Sequence, residues 1–182
     1  MTGIKYLGYV IDSVGIHVDL EKVQILKDWT IPQNIHELRS FLGLLNSYLW
    51  FILGFSHIAW PLNQLMKGNG KTIFKWTPTK QQAFEQIKNK LCTAPVLVLP
   101  DLHQPFEIET DASNYALGTV ITQSGHLVTF HSESFNDTVR RYSTYEKELY
   151  VIMRALKQWR FYILGREMII LTEHKPLQFA LT

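Results

Sequence analysis

"FEIETDASNYALGTVI", residues 106–121, decides the fold. Its first half alternates apolar and polar side chains with the period of a half-buried strand. Its second half is an apolar run of strand length. Between them stand Thr110, Asp111, Ala112 and Ser113, a carboxylate followed by small residues where a core strand would carry apolar ones. The pattern predicts two successive strands, with Asp111 ending the first.

Downstream, "LVTFHSE" (127–133) reads as a third strand and "QSGH" (123–126) as the hairpin turn before it. "RYSTYEKELYVIMRALKQWRFYI" (141–163) is an amphipathic helix, with Leu149, Ile152, Met153, Leu156 and Trp159/Arg160 on or near one stripe. "EMIILT" (167–172) is a fourth strand and "HKPLQFAL" (174–181) opens another helix. Three strands, a helix, a strand and a helix give a mixed sheet with helices packed on it, an α/β (α+β) layout.

Upstream, "KYLGYVIDSVGIHVD" (5–19) reads as a β-hairpin turning at Ser13-Val14-Gly15. Asp19 caps the helix "LEKVQILKDW", whose Val23 and Leu26 share a face. Pro32 breaks the chain. "NIHELRSFLGLLNSYLWFI" (34–52) predicts one long helix, with Asn34 as N-cap and Glu37 at the capping-box position. "HIAWPLNQLMK" is a third helical run, stopped by Gly68-Asn69-Gly70. In "TPTKQQAFEQIKNKL" (77–91), Ala83, Phe84, Ile87 and Leu91 line one face. "TAPVLVLPDLHQP" (93–105) carries three prolines and reads as an extended linker. The expected organisation is therefore a largely helical unit over 1–92, a linker over 93–105 and a sheet-based unit over 106–182.

Composition narrows the function classes. Apolar residues make up 46% and charged residues 19%, which describes a packed globular chain. The net charge of +2 is uneven: residues 1–100 hold ten Lys/Arg against six Asp/Glu, and residues 101–182 hold eight against ten. A basic half joined to an acidic half fits phosphate contacts in one and a carboxylate site in the other. Cys92 is alone, which leaves no disulfide framework, and the seven histidines show no ligand spacing for zinc. "SYLWFILGF" (47–55) is too short to span a bilayer and reads as core. No signal peptide is visible, so the expected setting is intracellular, cytoplasmic or nuclear, without membrane partners.

The carboxylates carry the chemistry. Asp111 ends a strand, Glu148 borders the apolar stripe of the long helix, and Glu173 follows the fourth strand. Each stands at the end of an element or on the rim of the core, a placement that lets three acids meet at one side of the sheet. Such clusters bind hard cations, and two cations can activate a water for phosphodiester hydrolysis. Any one acid taken alone is more often a solvated surface group. Periodicity does not choose between Glu146 and Glu148, which flank the stripe on opposite sides. Trp76, Trp159 and Tyr162 fall on apolar faces and read as core. His174, beside Glu173, reads as a helix-start surface residue or as a group that orients the carboxylate.

The sequence resembles the gypsy-type LTR retrotransposon polyprotein over the end of its reverse transcriptase and its RNase H-like domain. The motifs run in that family's order: "YLGYVIDSVGIHVD", "ELRSFLGLLNSY", "FILGFSHIAWPLNQL", "FKWTPTKQQAFEQIKNKLCTAPVL", "PFEIETDASNYALGTVI", "YSTYEKEL", "RALKQWRFYILG" and "TEHKPLQF". The resemblance implies that Asp111 is the first metal-binding carboxylate of RNase H and Glu148 the second. Glu173 takes the third place, where the family shows the aspartate of "TDHK". A fourth aspartate is expected beyond Thr182, so the RNase H-like unit is expected to be truncated. The polymerase YxDD motif lies upstream of this stretch and is absent from it.

The same resemblance makes 5–19 the primer-grip hairpin and 34–52 the thumb helix that lies in the minor groove of an RNA–DNA hybrid. Arg39, Gly43 and Ser47, at i, i+4 and i+8, would face that hybrid. Gly43 either admits a close backbone approach or packs tightly against another helix. Where the family shows a basic "YYRRFI" pattern this chain has "SYLWFI", with Leu49 and Trp50. Two functions are implied. One is cleavage of RNA in RNA–DNA hybrids supported by Mg²⁺ or Mn²⁺, weak or lost here. A glutamate reaches roughly 1.5 Å further than an aspartate, and a shift of that order in a catalytic centre costs on the order of 10²-fold. The other is a non-catalytic, co-opted relic that binds nucleic acid, or a protein partner through exposed apolar surface.

Overall fold

The sequence carries two apolar patterns, one helical and one alternating, and each needs its own place to be buried. A computed structural model describes residues 3–67 and 73–172 and supplies both places. In the first half, β1 (Ile4–Tyr6), β2 (Tyr9–Ile11) and β3 (Ile16–Val18) form an antiparallel meander in that order. The expected hairpin is thus one strand short. Leu7 and Gly8 both take positive φ (49° and 89°) and turn the chain in two residues, a type I′ turn. A side chain at Gly8 would strike the Tyr48 hydroxyl.

The helical expectations hold, with corrections at the ends. Asp19 accepts from the Glu21 N–H and starts α1 (Leu20–Lys27), which buries Leu26. Asn34 accepts from the N–H groups of His36 and Glu37 and starts α2 (Ile35–Leu45). Glu37 closes the box one residue early, since its carboxylate accepts from the Gln33 N–H at 2.7 Å. The single helix expected over 34–52 is two pieces. After Leu45 the chain tightens into a 3₁₀ segment, Asn46–Phe51, which turns Tyr48 and Phe51 into the core. Then follow α3 (Phe55–Met66) and α4 (Pro78–Cys92), the latter burying Ala83, Phe84, Ile87 and Leu91 as its periodicity requires. Phe41 meets Phe84 at 4.6 Å between ring centres at the middle of this core.

The strap 93–105 is pinned on both sides. Ile16 and Leu97 exchange backbone hydrogen bonds of 2.7 and 2.9 Å, and the Val98 N–H donates to the Leu127 carbonyl at 2.8 Å. Gly15 lies so close to the Leu97 carbonyl that no Cβ fits there.

Beyond the strap, β4 (Phe106–Ala112), β5 (Ala116–Gln123) and β6 (His126–Ser134) pair antiparallel, and β7 (Met168–Thr172) joins β4 in parallel. The sheet order is β6-β5-β4-β7. Ser124 and Gly125, both at positive φ, make the turn read from "QSGH". Helices α5 (Thr144–Gln158) and α6 (Arg160–Ile163) cover one face. The 3₁₀ segment and α3 approach the other, where the Ser56 N–H donates to the Ser132 hydroxyl at 3.0 Å.

The apolar stripe of α5 is rotated from its expected position. Val151, Ile152, Ala155 and Trp159 are buried, whereas Leu149 is 40% and Met153 60% exposed. Two polar contacts fix this rotation. A capping box between Ser143 and Glu146 sets the start, and Arg154 donates to Glu133 of β6 through Nε at 3.0 Å and through its terminal NH2. With the helix held there, small Ala155 allows close approach to the sheet and Trp159 fills the space beyond it.

Under α5 runs a polar row, Thr110, Thr119 and His131, aligned across β4, β5 and β6. Thr110 Oγ1 and His131 Nε2 are buried with no hydrogen-bond partner among the described residues. Burial pushes the His131 imidazole below its usual value near 6.5; Glu133 opposes this and Arg154 adds to it. The unfolded chain then takes up a proton at a higher pH than the folded chain. The stability tied to neutral His131 is full above pH 6.5 and falls as the pH drops toward the lowered pKa. Thermal melts of wild type and His131→Phe between neutral and mildly acidic pH should diverge in their trend, the wild type losing stability more steeply on acidification. Parallel trends would show that His131 is not the titrating group.

Candidate active-site cleft and helical face

Along β4 the alternation assigns each residue to a face. Phe106, Ile108 and Thr110 are buried under α5, so Glu107, Glu109 and Asp111 point to the opposite side. There they meet the Leu53-Gly54 junction that precedes α3. The result is a cavity of about 730 Å³ lined by Leu53, Gly54, Glu109, Asp111, Gly118, Val120 and the end of β7. Asp111 pairs in register with Gly118, and among the described residues nothing lies within 4 Å of where a Gly118 side chain would begin. The carboxylate therefore stands, exposed, beside open space.

The small residues after Asp111 have separate jobs. Ala112 packs against the cluster of Leu117, Phe135, Val139 and Val151. The Ser113 hydroxyl donates to the Ala116 carbonyl at 2.8 Å and accepts from the Ala116 N–H at 3.0 Å, which closes the β4–β5 turn. His57 of α3 reaches the same hydroxyl at 3.3 Å.

The two glutamates on α5 separate cleanly. Glu146 is exposed and occupied in the capping box, where the Ser143 backbone and side-chain hydrogen bonds hold its carboxyl below the usual range. Glu148 is half-buried and lies one turn before Val151 and Ile152, in line with the stripe that faces the sheet. Since Ala112 packs on the Val151 cluster, Glu148 and Asp111 belong to the same end of the sheet, approached from opposite faces. Glu173 and His174 lie outside the described residues. Glu109, which sequence reasoning passed over, lines the cleft with Asp111. Its place two residues before Asp111 on an alternating strand was the available signal.

Hard cations demand several oxygen ligands. Among the described residues no group of three His, Cys, Asp or Glu is close enough to hold a metal ion.

The second candidate surface is the outer face of α2. Arg39, Ser40 and Gly43 are exposed there, followed by Ser47 and Trp50 in the 3₁₀ segment. Among the described residues nothing lies within 4 Å of a Cβ built on Gly43, so none of them makes a tight helix–helix contact at this glycine. Ser47 has left the α-helical register, so the i+8 relation with Arg39 does not apply to it, yet it stays exposed. Its carbonyl accepts from the Tyr9 hydroxyl, which ties the segment to the meander. Trp50 is 58% exposed and stacks on Tyr9 at 6.5 Å.

Against known proteins, residues 76–170 match the RNase H-like domain found in reverse transcriptase, over half of the chain. The chain belongs to that family. Within it, the sequence is similar to the Pol polyproteins of gypsy-type LTR retrotransposons. It is 38% identical over 175 residues to the retrovirus-related Pol polyprotein from transposon 297 of Drosophila melanogaster, covering 96% of this chain and 16% of the polyprotein. It is 34% identical over 188 residues to that of transposon gypsy from the same organism, covering 97% and 18%. The chain thus spans less than a fifth of these relatives. Among solved structures, the foamy viral protease-reverse transcriptase in complex with dsDNA superposes with a TM-score of 0.83 at 26% identity, over 100% of this chain and 38% of that one. The same enzyme in complex with RNA/DNA hybrid gives 0.81 at 26% identity, over 97% and 25%. No helix among the described residues is long and apolar enough to cross a membrane.

An open, unstrained helical glycine costs stability relative to alanine. Gly43→Ala should raise the unfolding free energy by up to about 1 kcal/mol in urea melts. A loss of stability would show that Gly43 is packed after all.

Proposed function

We propose that this chain grips an RNA–DNA hybrid and presents its RNA strand to Asp111, as the thumb-like and RNase H-like portion of a retroelement Pol polyprotein. Residues 1–92 form the thumb-like unit, 93–105 the strap and 106–182 the RNase H-like unit. The observation that carries this reading is the exposed Asp111 carboxylate, placed opposite a side-chain-free Gly118 in a cleft between the sheet and the Leu53-Gly54 junction. The nucleic-acid complexes of the foamy viral enzyme, which superposes over nearly the whole chain, support the partner class.

In this reading Arg39 contacts phosphate, Gly43 lets the backbone come close and Ser47 reaches sugar or base edges. Asp111, Glu148 and Glu173 are the side chains that would hold Mg²⁺ or Mn²⁺. The bound ion would supply an activated water and a stabilised leaving oxygen. The protein's own contribution is positional: α2 sets the register of the duplex, and the cleft admits one backbone to Asp111. Cleavage is expected to be slow, because the third acid, Glu173, carries a longer stem than the family's aspartate. One observation favours a second use of the surface. Trp50, stacked on Tyr9 and exposed where the family's pattern is basic, offers an apolar contact to a protein partner.

The decisive assay follows a labelled hybrid in Mg²⁺ or Mn²⁺. Slow cleavage is expected from the wild type and none from Asp111→Asn. Fast cleavage by the unmodified chain, lost in Asp111→Asn, would overturn the weak-nuclease reading. Cleavage that survives Asp111→Asn would remove Asp111 from the chemistry. In binding experiments, Arg39→Ala should weaken hybrid affinity and make the log–log salt dependence shallower by about one. An unchanged slope would mean that this face touches no phosphate.

A further inference from the structure

On the seam between α3 and the sheet, the first turn of the helix lies across the row that carries Asp111. Asp111 on β4 pairs with Gly118 on β5, and Gly118 pairs with Ser132 on β6. Two consecutive residues of α3 grip hydroxyls at the two ends of this row. The Ser56 N–H donates to Ser132 Oγ at 3.0 Å, and the Ser132 hydroxyl donates to Ser56 Oγ at 3.3 Å. His57 Nδ1 lies 3.3 Å from Ser113 Oγ, two residues past Asp111. Between the two grips, Gly54, His57, Asp111, Ser113 and Gly118 help to line a hollow of about 290 Å³.

The surrounding hydrogen bonds decide which partner holds the hydrogen. A serine hydroxyl has one, and for Ser113 the nearer acceptor is the Ala116 carbonyl at 2.8 Å. The Ala116 and Tyr115 N–H groups donate to the same oxygen at 3.0 and 3.3 Å. His57 Nδ1 therefore carries the hydrogen and donates it to Ser113.

The turn does not need this bond in order to close. The Ser113 N–H already donates to the Ala116 carbonyl at 3.0 Å, and His57 is exposed. A bond from another element to a turn already closed fixes where that turn sits. The end of β4 has use for such an anchor, since its pairing with β7 runs only to Thr110, and among the described residues Asp111 and Ala112 pair with β5 alone. Further along α3, Trp60 stacks on Tyr115 of the same turn with ring centres 5.1 Å apart, and Arg140 lies 5.0 Å from the Trp60 ring centre. Stacked rings tolerate sliding, whereas a hydrogen bond is directional.

We propose that His57 is a positioning residue for Asp111. Through Nδ1–H and Ser113 it holds the singly paired end of β4 against α3, so the helical half of the chain completes the site on the sheet. The proposal rests on the reading of Asp111 given above and adds a residue that acts through Ser113 without touching the hybrid.

The test compares full-length variants in three measurements: single-turnover cleavage of a labelled hybrid in Mn²⁺, broadening of backbone amides by sub-stoichiometric Mn²⁺, and the ¹⁵N spectrum of the imidazole at neutral pH. His57→Leu should slow cleavage roughly fivefold, the scale of one lost hydrogen bond, with hybrid Kd unchanged. It should also weaken the broadening around Asp111. His57→Asn places an N–H where Nδ1–H stands and should behave like the wild type. His57→Gln places its amide one carbon further out and should behave like His57→Leu. The wild-type spectrum should show the Nδ1–H form, and Ser113→Ala should lose it. An Nε2–H form in the wild type would overturn the proposal, as would equal losses in His57→Leu and His57→Asn. Wild-type cleavage and broadening in His57→Leu, with cleavage still abolished by Asp111→Asn, would refute His57 and leave the nuclease reading standing. A wild type that cleaves no hybrid would remove that reading, and the broadening and the imidazole spectrum would still decide for or against the His57 anchor.

Discussion

Strand β4 is hydrogen-bonded on both edges, to β5 and to β7, and covered on one face by α5. That double constraint organises everything around it. A strand so placed has no freedom of register, because a slip of one residue would drive Glu107, Glu109 and Asp111 under α5 and turn Phe106 and Ile108 out. Phe106 and Ile108 are among the least exposed residues of the chain, and fully burying one such side chain is worth about 1.5–3 kcal/mol. The core therefore decides where the Asp111 carboxylate points. The site is a consequence of packing on the other side of the same strand.

From β4 the influence spreads in two directions. Through Ala112 it reaches the cluster with Val151, and so the N-terminal turns of α5 that carry Glu148. Through the open face it meets the Leu53-Gly54 junction, which is itself held by the 3₁₀ segment and by the Tyr9–Ser47 bond. The cleft thus joins the helical half to the sheet. The cation–aromatic stack of Trp60, Tyr115 and Arg140 crosses the same seam a little further along.

Much of this was legible in the sequence. The four strands of the sheet, the caps at Asp19 and Asn34, the buried face of α4 and the position of Asp111 follow from period and capping chemistry alone. What escaped did so for local reasons. The Leu7-Gly8 turn places a leucine at positive φ, which no turn rule anticipates, so β1 was merged with its neighbour. The rotation of α5 depends on an ion pair with Glu133, a residue on another element, and on Ala155, whose small size gives it little weight in a hydrophobic pattern. The break at Leu45 comes from Tyr48 and Phe51 seeking the core, a tertiary demand that overrides a continuous helical pattern.

Asp111 presents its carboxylate to the open cleft opposite Gly118. Paramagnetic broadening of backbone amide signals by sub-stoichiometric Mn²⁺ tests it directly, because it reports where a hard cation dwells even when binding is weak. Broadening is expected to centre on the amides of Glu109, Asp111, Gly118 and their neighbours on β4 and β5 and to be removed by Asp111→Asn, with the α2 amides unaffected. Broadening centred elsewhere, or unchanged in Asp111→Asn, would contradict it.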